Sequence, residues 1–246
     1  MNANSFKPVL RPAGENSILV VFGTTITPKV REQVCGFVTA FKALGVKGIL
    51  EIVPSYCSVM IYFKMRTVTY AHIKSAVEKA LLEMVPEPQQ TYQVLEVPTC
   101  YDGVLAPDME AVLRLTKLSK EKLIRLHTDK PFMVYMIGFT PGFPYMGTMP
   151  FHLPRQTTPR PVVPSGSIGL AGNQTGIYSI DTPGEWWLIG RTPLAIFDAQ
   201  RKDPFLLSPG DYVRFTPIDL EEYFELKDYI AQGFYTPRRW QEKVTS

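Results

Sequence analysis

Gly138-Phe139-Thr140-Pro141-Gly142-Phe143-Pro144-Tyr145 opens, and Thr182-Pro183-Gly184-Glu185-Trp186-Trp187-Leu188-Ile189-Gly190-Arg191 closes, the stretch whose reading decides the fold of this chain. Between them lie Pro159-Arg160-Pro161 and Val163-Pro164-Ser165-Gly166-Ser167-Ile168-Gly169-Leu170-Ala171-Gly172. Proline fixes φ and removes a backbone donor, while glycine admits backbone angles closed to other residues. Such a mixture, broken only by short apolar runs, excludes helix. It predicts tight turns and short strands holding polar side chains around a cavity of fixed shape.

Outward from that run the pattern stays all-β. Short strands are expected at 132–137, 168–171, 176–180, 187–189, 194–197 and 212–215, separated by Gly/Pro turns. Strands this short and regular predict a closed barrel or a sandwich, and closure removes exposed edges. Ahead of them, helices are expected over 109–115 and after Ser119, a good N-cap, with Leu123 and Leu126 on the buried side. Beyond Pro217 a terminal helix is expected over 220–230, and Pro237-Arg238-Arg239-Trp240 reads as a frayed or packed tail.

The first ninety residues read differently. Ile18-Leu19-Val20-Val21-Phe22 suits a central strand, and Thr27-Pro28 caps and starts a helix whose stripe is Val30, Val34, Phe37, Phe41 and Leu44. Strands over 48–53 and 58–63 follow, then a helix with Tyr70, Ile73, Val77, Leu81 and Met84 on one face. With 92–97 as a last strand the order is β-α-β-β-α-β, the split arrangement of a ferredoxin-like sandwich. The polar stretch Pro86-Glu87-Pro88-Gln89-Gln90 marks the boundary. The expected organisation is therefore α+β: a ferredoxin-like domain over 1–90, a β-barrel domain over 91–218, and a C-terminal helix and tail over 219–246.

Composition removes several classes of function. Over 246 residues the net charge is only +3, and no Lys/Arg run is interleaved with aromatics, which argues against nucleic acid. Cys35, Cys57 and Cys100 are odd in number and contain no CxxC, so neither a metal site nor a disulfide framework is expected. There is no secretory signal and no apolar stretch long enough to span a bilayer, so a soluble, cytoplasmic protein is expected. Ser165 and Ser167 lack the G-x-S-x-G spacing of a hydrolase nucleophile, and no G-x-x-x-x-G-K-[ST] phosphate loop exists.

The chemistry that remains lies in the Pro/Gly run. Arginine presents a planar fork matched to carboxylate or phosphate. Arg155, Arg160 and Arg191 in a turn-rich barrel therefore make an anion pocket, with backbone N–H groups of Ser165-Gly166 and Ala171-Gly172-Asn173 as further donors. The competing reading is that each arginine bonds turn carbonyls or an acid such as Asp198. His127 likewise has two readings, a helix C-terminal residue favoured by the dipole or a group acting at the site.

Taken together and in order, Gly138-Phe-Thr-Pro-Gly-Phe-Pro-Tyr-Met, Pro159-Arg160, Val163-Pro-Ser-Gly-Ser-Ile-Gly, Gln174-Thr-Gly-Ile-Tyr, Gly190-Arg-Thr-Pro and Gly210-Asp-Tyr-Val-Arg-Phe resemble the family of 5-oxoprolinase B subunits. That family is also called KipI-like, or allophanate hydrolase subunit 1. The resemblance implies a cyclophilin-like barrel in a cytoplasmic bacterial protein. It implies work with A and C subunits in the ATP-dependent opening of 5-oxoproline to L-glutamate, so an amidohydrolase subunit inactive without its partners. It equally admits an inhibitor of a sensor histidine kinase, or an allophanate hydrolase subunit-like protein. By position, the family's pocket falls on His127 as the catalytic candidate and on Arg155, Arg160, Gln174 and Arg191 for substrate. One departure stands out: the family commonly has Pro-Gly-Gly-Trp, and here Glu185 replaces the second glycine, facing either the pocket or solvent.

Overall fold

The computed structural model describes residues 7–85 and 91–243. The chain divides into two compact units, Met1–Gln90 and Thr91–Ser246.

The first unit carries β1 (Val9–Pro12), β2 (Ser17–Val21), α1 (Pro28–Ala43), β3 (Ile49–Pro54), β4 (Ser58–Phe63) and α2 (Tyr70–Glu83). Thr27 caps α1 as its spacing predicts, its hydroxyl accepting from the Val30 N–H at 3.2 Å. Val34, Phe37 and Phe41 of α1 and Ile73, Val77 and Ala80 of α2 are buried together with Ile18, Val20, Val59, Ile61 and Phe63 of the sheet. That is the layer packing that two amphipathic helices and an alternating sheet demand.

The sheet order is β1-β2-β4-β3, with every neighbour antiparallel. The fourth strand expected at 92–97 is not part of it. The edge beside β2 is taken instead by β1, which precedes the first helix. The segment 92–97 belongs to a ten-residue strand of the second unit, β5 (Thr91–Cys100), in which Val94, Leu95 and Val97 to Cys100 are all buried. A run buried on both faces needs cover from both sides, which a closed barrel with helices against its wall supplies and a sheet edge does not.

The second unit continues with α3 (Met109–Thr116), α4 (Lys120–Thr128), β6 (Phe132–Ile137), β7 (Pro144–Gly147), β8 (Arg160–Val163), β9 (Ser167–Ala171), β10 (Gln174–Ile177), β11 (Thr182–Gly184), β12 (Trp187–Arg191), β13 (Tyr212–Ile218), α5 (Leu220–Ala231) and β14 (Arg239–Lys243). Seven strands close a barrel in the order β5-β12-β9-β10-β7-β6-β13, with β13 returning to β5. The last contact of the ring is short, Arg191 opposite Cys100. β8 and β11 form a separate two-stranded ribbon.

One expectation changes here, and another narrows. The stretch 194–197 is not a strand but a loop tied by a single bridge between Phe197 and Phe205, while Leu194 and Ile196 still point into the core. The basic end is packed, not frayed: β14 pairs antiparallel with β5, from Arg239 opposite Leu95 to Lys243 opposite Thr91. Its side chains alternate, and Trp240 is clasped by the guanidinium groups of Arg214 and Arg238 at 5.9 and 5.2 Å from the ring centre. α5 carries a full capping box between Asp219 and Glu222, and the helix starts at Leu220 as expected.

Candidate functional site

The Pro/Gly run builds a cavity of about 190 Å³, walled by Phe139, Phe143, Tyr145, Arg155, Pro159, Tyr178, Pro183, Gly184, Glu185 and Trp186. The turn before β7 supplies one wall. Gly138 N–H donates to the Phe143 carbonyl at 3.1 Å, and Phe143 N–H donates to the Thr140 carbonyl at 3.1 Å. Gly142 sits at φ +80°, and a Cβ there would lie 2.7 Å from Cβ of Phe197, so only glycine fits. Phe139, a non-glycine residue, is held at φ +68° and is 62% exposed at the cavity edge. A bulky side chain in that region is a strained conformation maintained by its surroundings.

The floor is aromatic. Phe143 meets Tyr178 and Trp186 edge to face at 5.2 and 5.5 Å between ring centres, and packs against Tyr145 at 4.7 Å. Edge-to-face geometry sets the positive rim of one ring on the negative face of the next. Burial pushes the Tyr178 phenol up to about 12, so it remains a neutral hydroxyl at any working pH. Gly176 lets Phe143 reach this position, since a Cβ there would stand 2.7 Å from its ring. Gly176→Ala is expected to lower the barrel's stability by about 1–3 kcal/mol, the range for overpacking, read as a shift in denaturant midpoint. No change in midpoint would show that the ring has room to move.

The opposite wall is the strap from Pro154 to Arg160. Gln156 N–H donates to the Glu185 carbonyl at 2.9 Å, and Trp187 Nε1–H donates to the Pro154 carbonyl at 2.6 Å. The strap's anchor is Asp108, only 7% exposed at the start of α3. Its carboxylate accepts from Arg160 Nη1 at 2.7 Å and from Arg160 Nη2 at 2.5 Å, a bidentate pair. It also accepts from Gln156 Nε2 at 3.0 Å and from the Leu188 N–H at 2.7 Å. Charge-assisted bonds of this kind are the strong ones.

The structure sorts the sequence candidates. Arg155 lines the cavity and pairs with Glu185. Arg160 is committed to Asp108, not to Asp198, which lies beside Arg201 at 3.7 Å. Arg191 Nε–H donates to the Ser165 carbonyl at 2.8 Å, which is the turn-carbonyl reading. Gln174 opens β10 opposite Ala171 and Gly147, outside the cavity wall. Three of the expected backbone donors are already used: Ser165 N–H by Asp181 at 2.7 Å, Gly166 N–H by the Tyr178 carbonyl at 2.7 Å and Gly172 N–H by the Leu153 carbonyl at 2.6 Å.

His127 is not among the residues that wall the cavity. A catalytic role requires access to a ligand, and this ring is fully buried in the barrel, stacked 4.1 Å from Phe215. Its Nδ1 meets the Tyr101 hydroxyl at 2.7 Å and its Nε2 meets the Thr175 hydroxyl at 2.8 Å. Burial drives its pKa down to about 3, so it is a neutral, fully satisfied core group. The acids that answer Arg160 and Arg155 are Asp108 and Glu185. Glu185 lines the cavity at its solvent edge, with 34% of its side chain exposed.

This barrel with its walled cavity matches a known family. The family model for the carboxyltransferase domain, subdomain C and D, covers residues 8–207. The chain belongs to that family. It is 38% identical over 232 residues to the 5-oxoprolinase B subunit of Bacillus subtilis (strain 168), covering 87% of this chain and 95% of that protein. It is 45% identical over 133 residues to the 5-oxoprolinase B subunit of Escherichia coli O157:H7, covering 53% of this chain and 60% of that one. Among solved structures, the K. lactis urea amidolyase superposes with a TM-score of 0.83 at 19% identity, which is a likeness of fold. This chain covers 98% of its own length there but only 17% of that chain. A further solved relative, 31% identical with a TM-score of 0.70, is also longer, and this chain spans 40% of it. Among the described residues no helix is long and apolar enough to cross a membrane.

Proposed function

We propose that this chain is the B subunit of an ATP-dependent 5-oxoprolinase, a lactam-opening amidohydrolase assembled with A and C subunits, built on a barrel of the cyclophilin type. The observation that carries the reading is the 38% identity spanning 95% of a 5-oxoprolinase B subunit. The cavity fits the substrate class. Its floor is aromatic, its volume of about 190 Å³ suits a single five-membered ring, and one arginine stands in its wall. Apolar walls with few placed polar groups are the usual construction of a small-ligand site.

The same cavity does not fit ATP. A triphosphate needs a glycine-rich cradle or several cations, and this wall offers one guanidinium group beside a carboxylate. ATP is therefore assigned to the partner subunits. The contribution of this chain is to seat the lactam ring, orient its carboxylate on Arg155 and keep water from the ring face.

The test is reconstitution with A and C subunits, ATP and 5-oxoproline, with glutamate release as the readout. Arg155→Ala is expected to lower kcat/KM about 10- to 100-fold, chiefly through KM, as the loss of one charged hydrogen-bonded contact does. Unchanged kinetics in that variant, or no turnover by the wild-type assembly, would refute the reading.

A further inference from the structure

Of three arginines that could meet an acidic ligand, the structure leaves one. Arg160 has both terminal nitrogens on Asp108, and Arg191 is spent on the Ser165 carbonyl. Arg155 alone stands in the cavity wall with much of its side chain, 59%, in solvent. Yet it already has a carboxylate on it, that of Glu185, which lines the same cavity.

We infer that Glu185 is a competing internal carboxylate: it occupies Arg155 when the cavity holds no acid, and an acidic ring ligand binds by taking its place. The inference rests on the pocket being the acid-binding site proposed above, and it adds how that site discriminates and what limits its affinity. Three features support the exchange. The backbone of Glu185 is pinned, its carbonyl accepting from Gln156 N–H at 2.9 Å, so its side chain pivots without moving the strap. The pair is at the solvent edge, where ion pairs are weak and readily exchanged. The pair also makes the mouth electrically neutral, so a neutral ring meets no net charge, while an acid must first displace Glu185 and then sits beside its carboxylate.

Charge therefore has a direction in this site. Removing the Glu185 charge leaves an unpartnered guanidinium over an aromatic floor and favours acids over neutral rings. Arg155 and Glu185 are energetically coupled, and a double-mutant cycle reads that coupling.

The experiment measures binding of two probes to the full chain by calorimetry: 5-oxoproline, and 2-pyrrolidinone, which keeps the lactam ring and lacks the carboxylate. Glu185→Gln is expected to bind 5-oxoproline about five- to tenfold more tightly than wild type, with 2-pyrrolidinone unchanged within about twofold. In an Arg155→Ala background the same Gln substitution is expected to gain no more than about twofold, from relief of carboxylate repulsion alone. Wild-type binding of both probes with no gain in Glu185→Gln overturns the competition and leaves the pocket reading standing. So does a gain of about five- to tenfold that persists undiminished without Arg155. Failure of every variant to bind either probe, in the free chain and in the three-subunit assembly alike, overturns the pocket as the substrate site and this inference with it.

Discussion

Asp108→Ala is expected to lower the stability of the barrel by about 3–5 kcal/mol, the range for removing one partner of a buried charge pair. The magnitude follows from what the carboxylate leaves behind. Arg160, with 30% of its side chain exposed, loses a bidentate partner. The Leu188 N–H, buried within β12, loses its acceptor, and Gln156 loses one of its two. An orphaned buried donor keeps its full desolvation penalty, whereas the bond it replaces contributed only part of that. Asp108→Asn retains volume and one carbonyl acceptor, so a smaller loss of about 1–3 kcal/mol is expected. All three tryptophans, Trp186, Trp187 and Trp240, lie in the second unit, so tryptophan fluorescence in a urea titration reports that unit alone. Equal midpoints for wild type and Asp108→Ala would mean that solvent or a shifted side chain replaces the carboxylate. The functional consequence is specific: the strap that carries Arg155 and Pro159 is fixed by Asp108 through Gln156 and Arg160, so the cavity wall loosens when the anchor goes.

That anchor is invisible in the sequence for a physical reason. Asp108 and Arg160 are 52 positions apart, and nothing in either local context points to the other. What can be read are signals that act within a few residues. Thr27 and Ser119 cap their helices because a hydroxyl reaches an N–H three residues on. The α1 stripe follows from side-chain periodicity and the 132–137 strand from its unbroken apolar run, and the density of Gly and Pro announces turns wherever the cavity is built. Pairing partners carry no such mark. The segment 92–97 satisfies the pattern of a ferredoxin-like fourth strand and equally that of a barrel strand, and only its full length, buried to Cys100, decides between them. β1 has four residues, mostly exposed, too few for periodicity to register. Glu185 is legible as a position but not as a direction, since whether it faces ligand or water depends on Arg155, thirty residues earlier. Of the three arginines that read as an anion pocket, two tie down the fold and one, Arg155, lines the cavity. The single useful warning lies in the composition: a turn-rich barrel has many carbonyls to satisfy, and arginine is the side chain that reaches them.

Between pH 6.5 and about 3, the barrel is expected to lose about 1.4 kcal/mol of stability per pH unit through His127 alone. The sign follows from which state binds the proton. In the unfolded chain His127 titrates near its ordinary value of 6.5, while in the folded chain burial holds it neutral down to about 3. Above 6.5 both states are neutral and the residue makes no pH-dependent contribution. As the pH falls through 6.5 the unfolded state takes up a proton that the folded state refuses, and unfolding is favoured. Below about 3 both are protonated and the loss levels off, at about 5 kcal/mol in total. The structural cause is that the ring has no anion to offset a charge: its neighbours are the Tyr101 and Thr175 hydroxyls and the rings of Phe132 and Phe215. Carboxylates titrate in the same window, so the measurement is a difference. Stability of wild type and of His127→Gln is followed by tryptophan fluorescence from pH 7 to 4, and the slopes are subtracted. A slope that the glutamine variant shares would place the acid lability elsewhere. A slope that it lacks marks His127 as a core group whose neutrality the fold depends on.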